Sequence, residues 1–422
     1  MRTKRIGVVL AGVMSTIATL ILVGGPSAPA EASSPTATIV VIGTWGVPFL
    51  NQSDMPTIMK NAVNYTNAHG GLGTSHTKVQ VVGCNDNFVA NEAVACARQA
   101  VSDHALAVIG FSQYDQDFLP MLESAHIARM GDEANPINLA SPVLIDNDPG
   151  PFYEWAPLYQ AAKNCKSVAF LTPNLGTQLN AADLAFYKSA FTAAGNPNGL
   201  AKVISLPITA TDMTPYMVQI EQSGAQCIGG GLLPNQLGAF ISAEKSQGIA
   251  GKYPVYWAAT GTVNASFIAQ NAQATNNWHL SNYYQIPSEN PAWAKYVSIE
   301  KAAKNLGADT SEIPNGTEEG GYAAWMQIVN ATKNVSGPIT SAAVLKALTT
   351  DCSMSTGGLL PTLNFCKKLP YKTIANMYDP YMALQIAQNG TIKPWEGGAY
   401  YNVVNLYKKG GAVSIPNDSN IT

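Results

Sequence analysis

The sequence has 422 residues, of which 46% are hydrophobic and only 12% charged, with a net charge of −3. A chain of this length suggests about two domains at roughly 150 residues each. The slight negative balance removes nucleic acid and anionic membrane surfaces from the expected partners.

Residues 1–32 carry a basic start (Arg2, Lys4, Arg5), an apolar stretch from Ile6 to Val23, the breakers Gly24, Gly25 and Pro26, and then Ala30-Glu31-Ala32. That order is expected of a secretory signal peptide cut after Ala32, with retention as a membrane anchor as the alternative. No cysteine stands near the cleavage site, so a lipoprotein is not expected. The protein should be exported to a periplasm, a cell-wall space or the medium.

Beyond the leader, Ala37 to Gly43 reads as a strand buried on both faces, and its exit puts Trp45 and Phe49 on a loop before a helix from Met55 to Asn67. Val79 to Gly83 is a second strand, Glu92 to Ser102 a helix and Ala107 to Gly110 a third strand, together forming a βαβ unit. The groups just past Gly110, namely Ser112, Gln113 and Tyr114, lie where an open α/β sheet offers donors and acceptors to a ligand. A weaker extended segment starts at Ala128 and runs into Asp132-Glu133-Ala134-Asn135-Pro136.

A stretch holding Pro149, Pro151 and Pro157 reads as a linker. A second series follows: strand Ser167 to Thr172, helix Ala182 to Ala194, then strands Lys202 to Leu206, Cys227 to Gly230 and Val255 to Ala258. Strands alternating with helices twice over predict two related α/β lobes. Leu280 to Ile286 reads as a strand near a sheet edge, followed by helices Ala292 to Asn305, Gly320 to Thr332 and Ala342 to Leu348. Antiparallel runs are expected at Tyr381 to Ala387 and Tyr400 to Leu406, either as an added unit or as a return to the first lobe and then the second.

Catalytic patterns are weak. Gly110-Phe111-Ser112-Gln113-Tyr114 lacks the second glycine of a nucleophile elbow. There is no His-Glu-x-x-His, no phosphate loop and no dinucleotide fingerprint. His69, His76, His104, His126 and His279 are scattered over different elements and read as surface or packing residues. Asp115 and Asp117 read as a solvated helix start rather than an acid/base pair. No cofactor, metal or catalysis is expected. Six cysteines in an exported chain, Cys84, Cys96, Cys165, Cys227, Cys352 and Cys366, favour three disulfides, with the connectivity open at this point.

The order of elements resembles a known family. Strand, aromatic loop, Gly70-Gly71-Leu72-Gly73, the run from Cys84 to Val101, strand, pocket loop and Glu133-Ala134-Asn135-Pro136 is similar to the type I periplasmic binding proteins, in particular the branched-chain amino acid-binding proteins of ABC importers. The likeness continues through Pro173-Asn174-Leu175-Gly176, Gly261 to Ser266 and Gly357-Gly358-Leu359-Leu360-Pro361. It implies two Rossmann-like lobes with parallel sheets, joined by three hinge crossings near Phe152, Tyr284 and Cys352. Lobe one would comprise 33–152 plus 285–352, and lobe two 153–284 plus 353–422.

The resemblance also implies a monomer that captures a small organic ligand, amino acid-like or apolar and aromatic, and hands it to an ABC permease. A ligand-sensing receptor of the same fold, or a secreted hydrolase, is the alternative. Trp45, Phe49, Tyr114, Leu175 and Leu233 would form apolar walls, and Ser112, Gln113, Asp132, Asn135 and Thr260 the polar contacts. The family's lobe-two acid falls near neutral Thr260, so free branched-chain amino acids are expected to bind weakly. In such lobes the first and third strands are neighbours, which pairs Cys165 with Cys227; Cys84–Cys96 and Cys352–Cys366 would close short loops.

Overall fold

The computed structural model describes residues 36–47, 50–131, 141–145, 152–174, 181–259, 261–303, 317–364 and 381–409. The expected leader lies outside them. Among the described residues no helix is long and apolar enough to cross a membrane.

The first sheet is parallel and contains β1 (Thr36–Gly43), β2 (Lys78–Asn85), β3 (Ala107–Gly110), β4 (Ala128–Met130) and β5 (Leu144–Ile145), in the order β2-β1-β3-β4-β5. Ile39 to Ile42 are all fully buried, as a strand covered on both faces requires. Side chains alternate across a strand, so Val40 and Ile42 enter one core while Ile39 and Val41 enter another. The first core also takes Ala93, Cys96 and Ala97 of α2 (Ala90–Ser102) and Phe118 and Leu122 of α3 (Asp115–Ser124). The second takes Met55, Ile58 and Met59 of α1 (Met55–Ala68).

The chain next builds α4 (Phe152–Asn164), β6 (Val168–Asn174), α5 (Ala181–Ala193), β7 (Leu200–Pro207), α6 (Thr214–Gln222), β8 (Cys227–Gly230), α7 (Pro234–Ser246), β9 (Val255–Ala258), α8 (Ala265–Gln270) and β10 (His279–Asn282). Strand β6 repeats the rule of β1, with Val168 and Phe170 on one face and Ala169 and Leu171 on the other. Three helices then return to the first sheet: α9 (Trp293–Ala302), α10 (Thr317–Thr332) and α11 (Ser341–Thr350). Trp325 Nε1 donates to Thr66 Oγ1 at 2.9 Å and Asn61 Nδ2 to Glu300 at 2.7 Å, tying α10 and α9 to α1. The chain crosses a third time to add β11 (Tyr381–Gln388), β12 (Thr391–Pro394), β13 (Tyr400–Asn402) and α12 (Val403–Lys409) to the second sheet. Its order is β12-β11-β10-β9-β8-β6-β7, with β13 paired to β11. This is the two-lobe α/β fold with parallel sheets and three crossings.

The second crossing is stitched to the last strand among the described residues. Tyr400 Oη accepts from Gln285 N at 3.2 Å and donates to Leu359 O at 2.8 Å, while Gln285 Nε2 donates to Gly398 O.

Three sequence readings are corrected. The presumed linker around Pro157 is largely helix α4, which gives up one internal hydrogen bond at Pro157 but buries Phe152, Trp155, Leu158 and Ala161. Strand β10 is interior, because β11, about a hundred residues later, pairs antiparallel on its open side. The run from Tyr400 is strand only to Asn402 and turns helical at Val403.

The disulfides Cys84–Cys96 and Cys165–Cys227 form; Val168 stands opposite Cys227 in the β6–β8 register, which brings Cys165 alongside. Cys352 is also disulfide-bonded, and Cys366, its expected partner, lies outside the described residues.

Candidate functional site

In a doubly wound sheet the ligand crevice opens beyond the carboxyl ends of the strands, where the strand order reverses. The reversal falls between β1 and β3 in the first sheet and between β6 and β8 in the second. Both points use the same backbone device. Gly110 ends β3 with φ +125°, and a Cβ on it would stand 2.0 Å from Ile42 O of β1. Gly230 ends β8 with φ +129°, and a Cβ there would stand 1.9 Å from Leu171 O of β6. The next residues, Phe111 and Gly231, donate their N–H to those carbonyls at 3.2 and 3.1 Å. Only glycine fits such a turn, and the turn aims the following loop across the neighbouring strand.

Past the first reversal, Asp86 is the organising group. It is fully buried at the end of β2 and accepts from Thr44 Oγ1 after β1, from Ser112 Oγ after β3 at 2.7 Å, and from Phe88 N at 2.9 Å. A carboxylate only accepts, so both hydroxyls direct their protons inward. Ser112 Oγ in turn accepts from Tyr114 N at 3.3 Å. The Tyr114 hydroxyl donates to Phe88 O at 2.9 Å and its ring meets Phe88 edge-on at 5.6 Å. Burial, then the charges of Asp86 and Asp117, push the Tyr114 phenol upward, keeping it neutral.

Trp45 joins the same exit through Asn85, whose Oδ1 accepts from Trp45 N at 3.0 Å and whose Nδ2 donates to Trp45 O at 2.9 Å. Its half-buried indole lies back over Gly43 and Gly83, which leave room for it. Gln113 is half-buried beside these groups.

Asp115 is not the solvated group its sequence position suggests. It is 2% exposed and pairs with the buried Arg129 at 3.1 Å, while Asp117 is exposed as expected. Arg129 also donates to Gly110 O at 2.8 Å and Met130 O at 2.9 Å, so the ion pair braces the β3 exit. A buried guanidinium needs that many acceptors.

Past the second reversal the central group is Glu154, in the first turn of α4 and 8% exposed. Thr172 Oγ1 at the β6 exit donates to its Oε2 at 3.0 Å, and its Oε1 lies 3.2 Å from where a Gly231 Cβ would stand. Since α4 runs back against β6, its positive N-terminal end faces the exits, which favours an anion there. Half-buried Leu233 opens α7 nearby, its N–H held by Gln236 Oε1 at 3.1 Å. Tyr153 and Tyr283, on the first and second crossings, meet edge-on at 5.7 Å.

Of the ten site residues expected from sequence, the structure gathers Ser112, Gln113, Tyr114 and Trp45 at the first exit and puts Leu233 at the second. Phe49, Asp132, Asn135, Leu175 and Thr260 lie outside the described residues. Thr44, Asn85, Asp86, Glu154 and Thr172 were missed. Asn85-Asp86 directly after a buried strand was a usable signal, whereas Glu154 was hidden in the presumed proline linker. Among the described residues no group of three His, Cys, Asp or Glu could hold a metal ion.

No curated protein matches the sequence. A solute-binding protein of an ABC transporter from Rhodopseudomonas palustris HaA2, in complex with p-hydroxybenzoic acid, is similar in fold with TM-score 0.69 at 18% identity, covering 87% of this chain and 97% of that one. The branched-chain amino acid transporter substrate-binding protein LivJ from Streptococcus pneumoniae, in complex with isoleucine, gives 0.66 at 15% over 86% and 98%. A fatty acid ABC transporter substrate-binding protein from Thermomonospora curvata gives 0.68 at 14% over 91% and 96%. The sequence model described as periplasmic binding protein matches residues 52–365, most of the chain. The chain therefore belongs to the periplasmic binding protein family, a family of ligand-binding transport proteins and not of enzymes.

Proposed function

We propose that this is an exported solute-binding protein that takes up one small organic ligand between its lobes and delivers it to an ABC importer. The observation that carries the reading is the pair of matching strand reversals, each followed by a loop of polar and aromatic side chains, in a chain of this family. Lobe one would be 33–152 with 285–352, and lobe two 153–284 with 353–422. Trp45, Ser112, Gln113 and Tyr114 would meet the ligand from the first lobe, with Phe49, Asp132 and Asn135 beside them. Leu175, Leu233 and Thr260 would meet it from the second. Contacts drawn from both lobes exist together only in the shut form, so ligand selects that form and the permease can read it. The protein is taken to act as a monomer, released by cleavage after Ala32 and without a lipid anchor.

A metabolite library screened by thermal shift tests this. A ligand at a hundred times its dissociation constant adds about 2.7 kcal/mol of stability. X-ray scattering with a hit should give a smaller radius of gyration, and uptake in the host should depend on the gene. Identical scattering curves for every stabilising compound would defeat the closure mechanism. Stabilisation and closure without any effect on uptake would favour a sensor.

A further inference from the structure

We propose, resting on the solute-binding reading above, that the Tyr400 hydroxyl is a clasp across the hinge, which sets how the lobes stand before ligand arrives and so tunes the affinity of the site. Tyr400 belongs to the second sheet, where it pairs with Ala383 of β11. Its hydroxyl reaches two backbone groups outside that sheet, accepting from Gln285 N of the second crossing at 3.2 Å and donating to Leu359 O of the third at 2.8 Å. The first lobe holds the same two groups from the other side. Leu359 O also accepts from Asn290 Nδ2, just before α9, at 3.0 Å, and Gln285 O accepts from Trp293 Nε1 of α9 at 2.8 Å. Around Leu359 the chain lies on α10: Asn330 Nδ2 donates to Ser355 O at 2.9 Å, and a Cβ on Gly357 would stand 3.3 Å from Met326 Cγ.

One phenolic oxygen therefore joins a strand that turns with the second lobe to two backbone groups that are anchored on the first. Rotation about the crossings changes both distances, and hydrogen bonds weaken steeply as they misalign. The clasp thus favours the lobe arrangement of this structure over any other. Gln285 adds a second tie to the same end of the second lobe, its Nε2 donating to Gly398 O at 2.6 Å. Only glycine allows that approach, because φ at Gly398 is +71° and a Cβ there would stand 1.7 Å from Glu289 Oε1 of the crossing. Tyr401, the next residue of β13, makes the contrast: its hydroxyl donates to Glu396 of its own lobe. A ligand that needs the shut form binds with an apparent affinity scaled by the fraction of protein able to adopt it, so the clasp enters the dissociation constant directly.

Spin labels on the full chain test the clasp without any ligand. They are attached through Gln116→Cys, exposed at the start of α3, and Thr211→Cys, exposed in the loop after β7, one in each lobe. Tyr400→Phe keeps the ring and removes only the hydroxyl. In the free protein it should lower the population at the wild-type label spacing, relative to any other spacing, roughly twofold to tenfold, as expected for one net hydrogen bond. Gln285→Leu, which retains both backbone bonds, should shift the ratio the same way by a smaller factor, and it carries the test if Tyr400→Phe does not fold. Tyr401→Phe should leave the distribution as it is. Spacings unchanged in the folded clasp variants, even with a lowered melting temperature, would reduce Tyr400 to a packing residue and overturn the inference, as would an equal shift in Tyr401→Phe. The solute-binding reading fails on a separate result, namely that no library compound changes the label spacing of the wild-type protein.

Discussion

The two strand-exit regions share a backbone and differ in their carboxylates. Gly110 and Gly230 make the same left-handed turn against the same neighbouring carbonyl, one in each lobe, because any βαβ unit that reverses there faces the same steric problem. Asp86 and Glu154 differ: the first comes from β2, is sealed and holds three donors, whereas the second comes from a crossing helix and is slightly open. Repetition of the fold thus reproduces the frame of the site, and the chemistry hung on that frame is separate in each lobe.

The glycines should give the largest effects. Gly110→Ala or Gly230→Ala puts a Cβ within 2.0 Å of a carbonyl oxygen at a strongly positive φ. Strain and overpacking together predict a loss of about 3–5 kcal/mol in denaturant unfolding. A loss below about 1 kcal/mol at either position would remove the claim that the two turns are equivalent.

The disulfides come next. Cys165–Cys227 spans 62 residues and Cys84–Cys96 spans 12. The chain-entropy argument assigns about 4 kcal/mol to the longer loop and about 3 kcal/mol to the shorter. Replacing each pair by alanines should therefore lower stability more in the second lobe, which paired melting curves would decide.

Asp86→Ala leaves two hydroxyls and a backbone N–H without their acceptor, at a cost of about 2–4 kcal/mol. Glu154→Gln, which keeps an acceptor for Thr172 Oγ1, should cost less than Asp86→Ala. Equal costs at the two positions would erase the distinction between the sealed carboxylate and the slightly open one.

A pH dependence is expected in both lobes. Burial pushes Glu300 in the first lobe and Glu244 in the second up to about 7 from 4.5. Each folded-state carboxyl holds its proton more tightly than the unfolded chain does. Their stabilisation is complete below about pH 4.5 and is lost as pH rises through 7, on the order of 2 kcal/mol per site. His279, stacked on Tyr256, works in reverse: burial lowers it to about 4 from 6.5, so its contribution is present above 6.5 and lost as pH falls. Two carboxyls against one imidazole predict a net loss of stability from pH 5 to 7. Glu244→Gln with Glu300→Gln should reverse that slope, leaving the rise set by His279, and a slope unchanged in the double variant would rule these groups out.

Most of the frame was legible in the sequence because buried parallel strands read as short apolar runs; β8 and β9 were found residue for residue. Helix α4 was missed because a proline is a strong local signal and its compensation is tertiary, in the burial of Phe152 and Trp155. Strand β10 looked peripheral because its partner β11 is remote in sequence. The site was half legible. Residues next to a strand end, such as Ser112 and Tyr114, declare themselves, whereas the convergence of Thr44, Asp86 and Ser112 depends on the strand order, which periodicity does not contain.

The late arrival of β11 and of the Tyr400 stitch also bears on how the chain acquires its shape during synthesis. The first sheet lacks α9, α10 and α11 until residue 350 has been made, and β10 remains a bare edge until residues 381–388 appear. Neither lobe can close its core from its own contiguous segment, so the contacts that finish both are of long range and slow to form. A nascent chain lacking its last forty or so residues would expose an unpaired strand edge, the usual route to aggregation. It would also remain loosely folded until the ribosome is nearly done, the condition a chain needs to be threaded unfolded through a translocation channel.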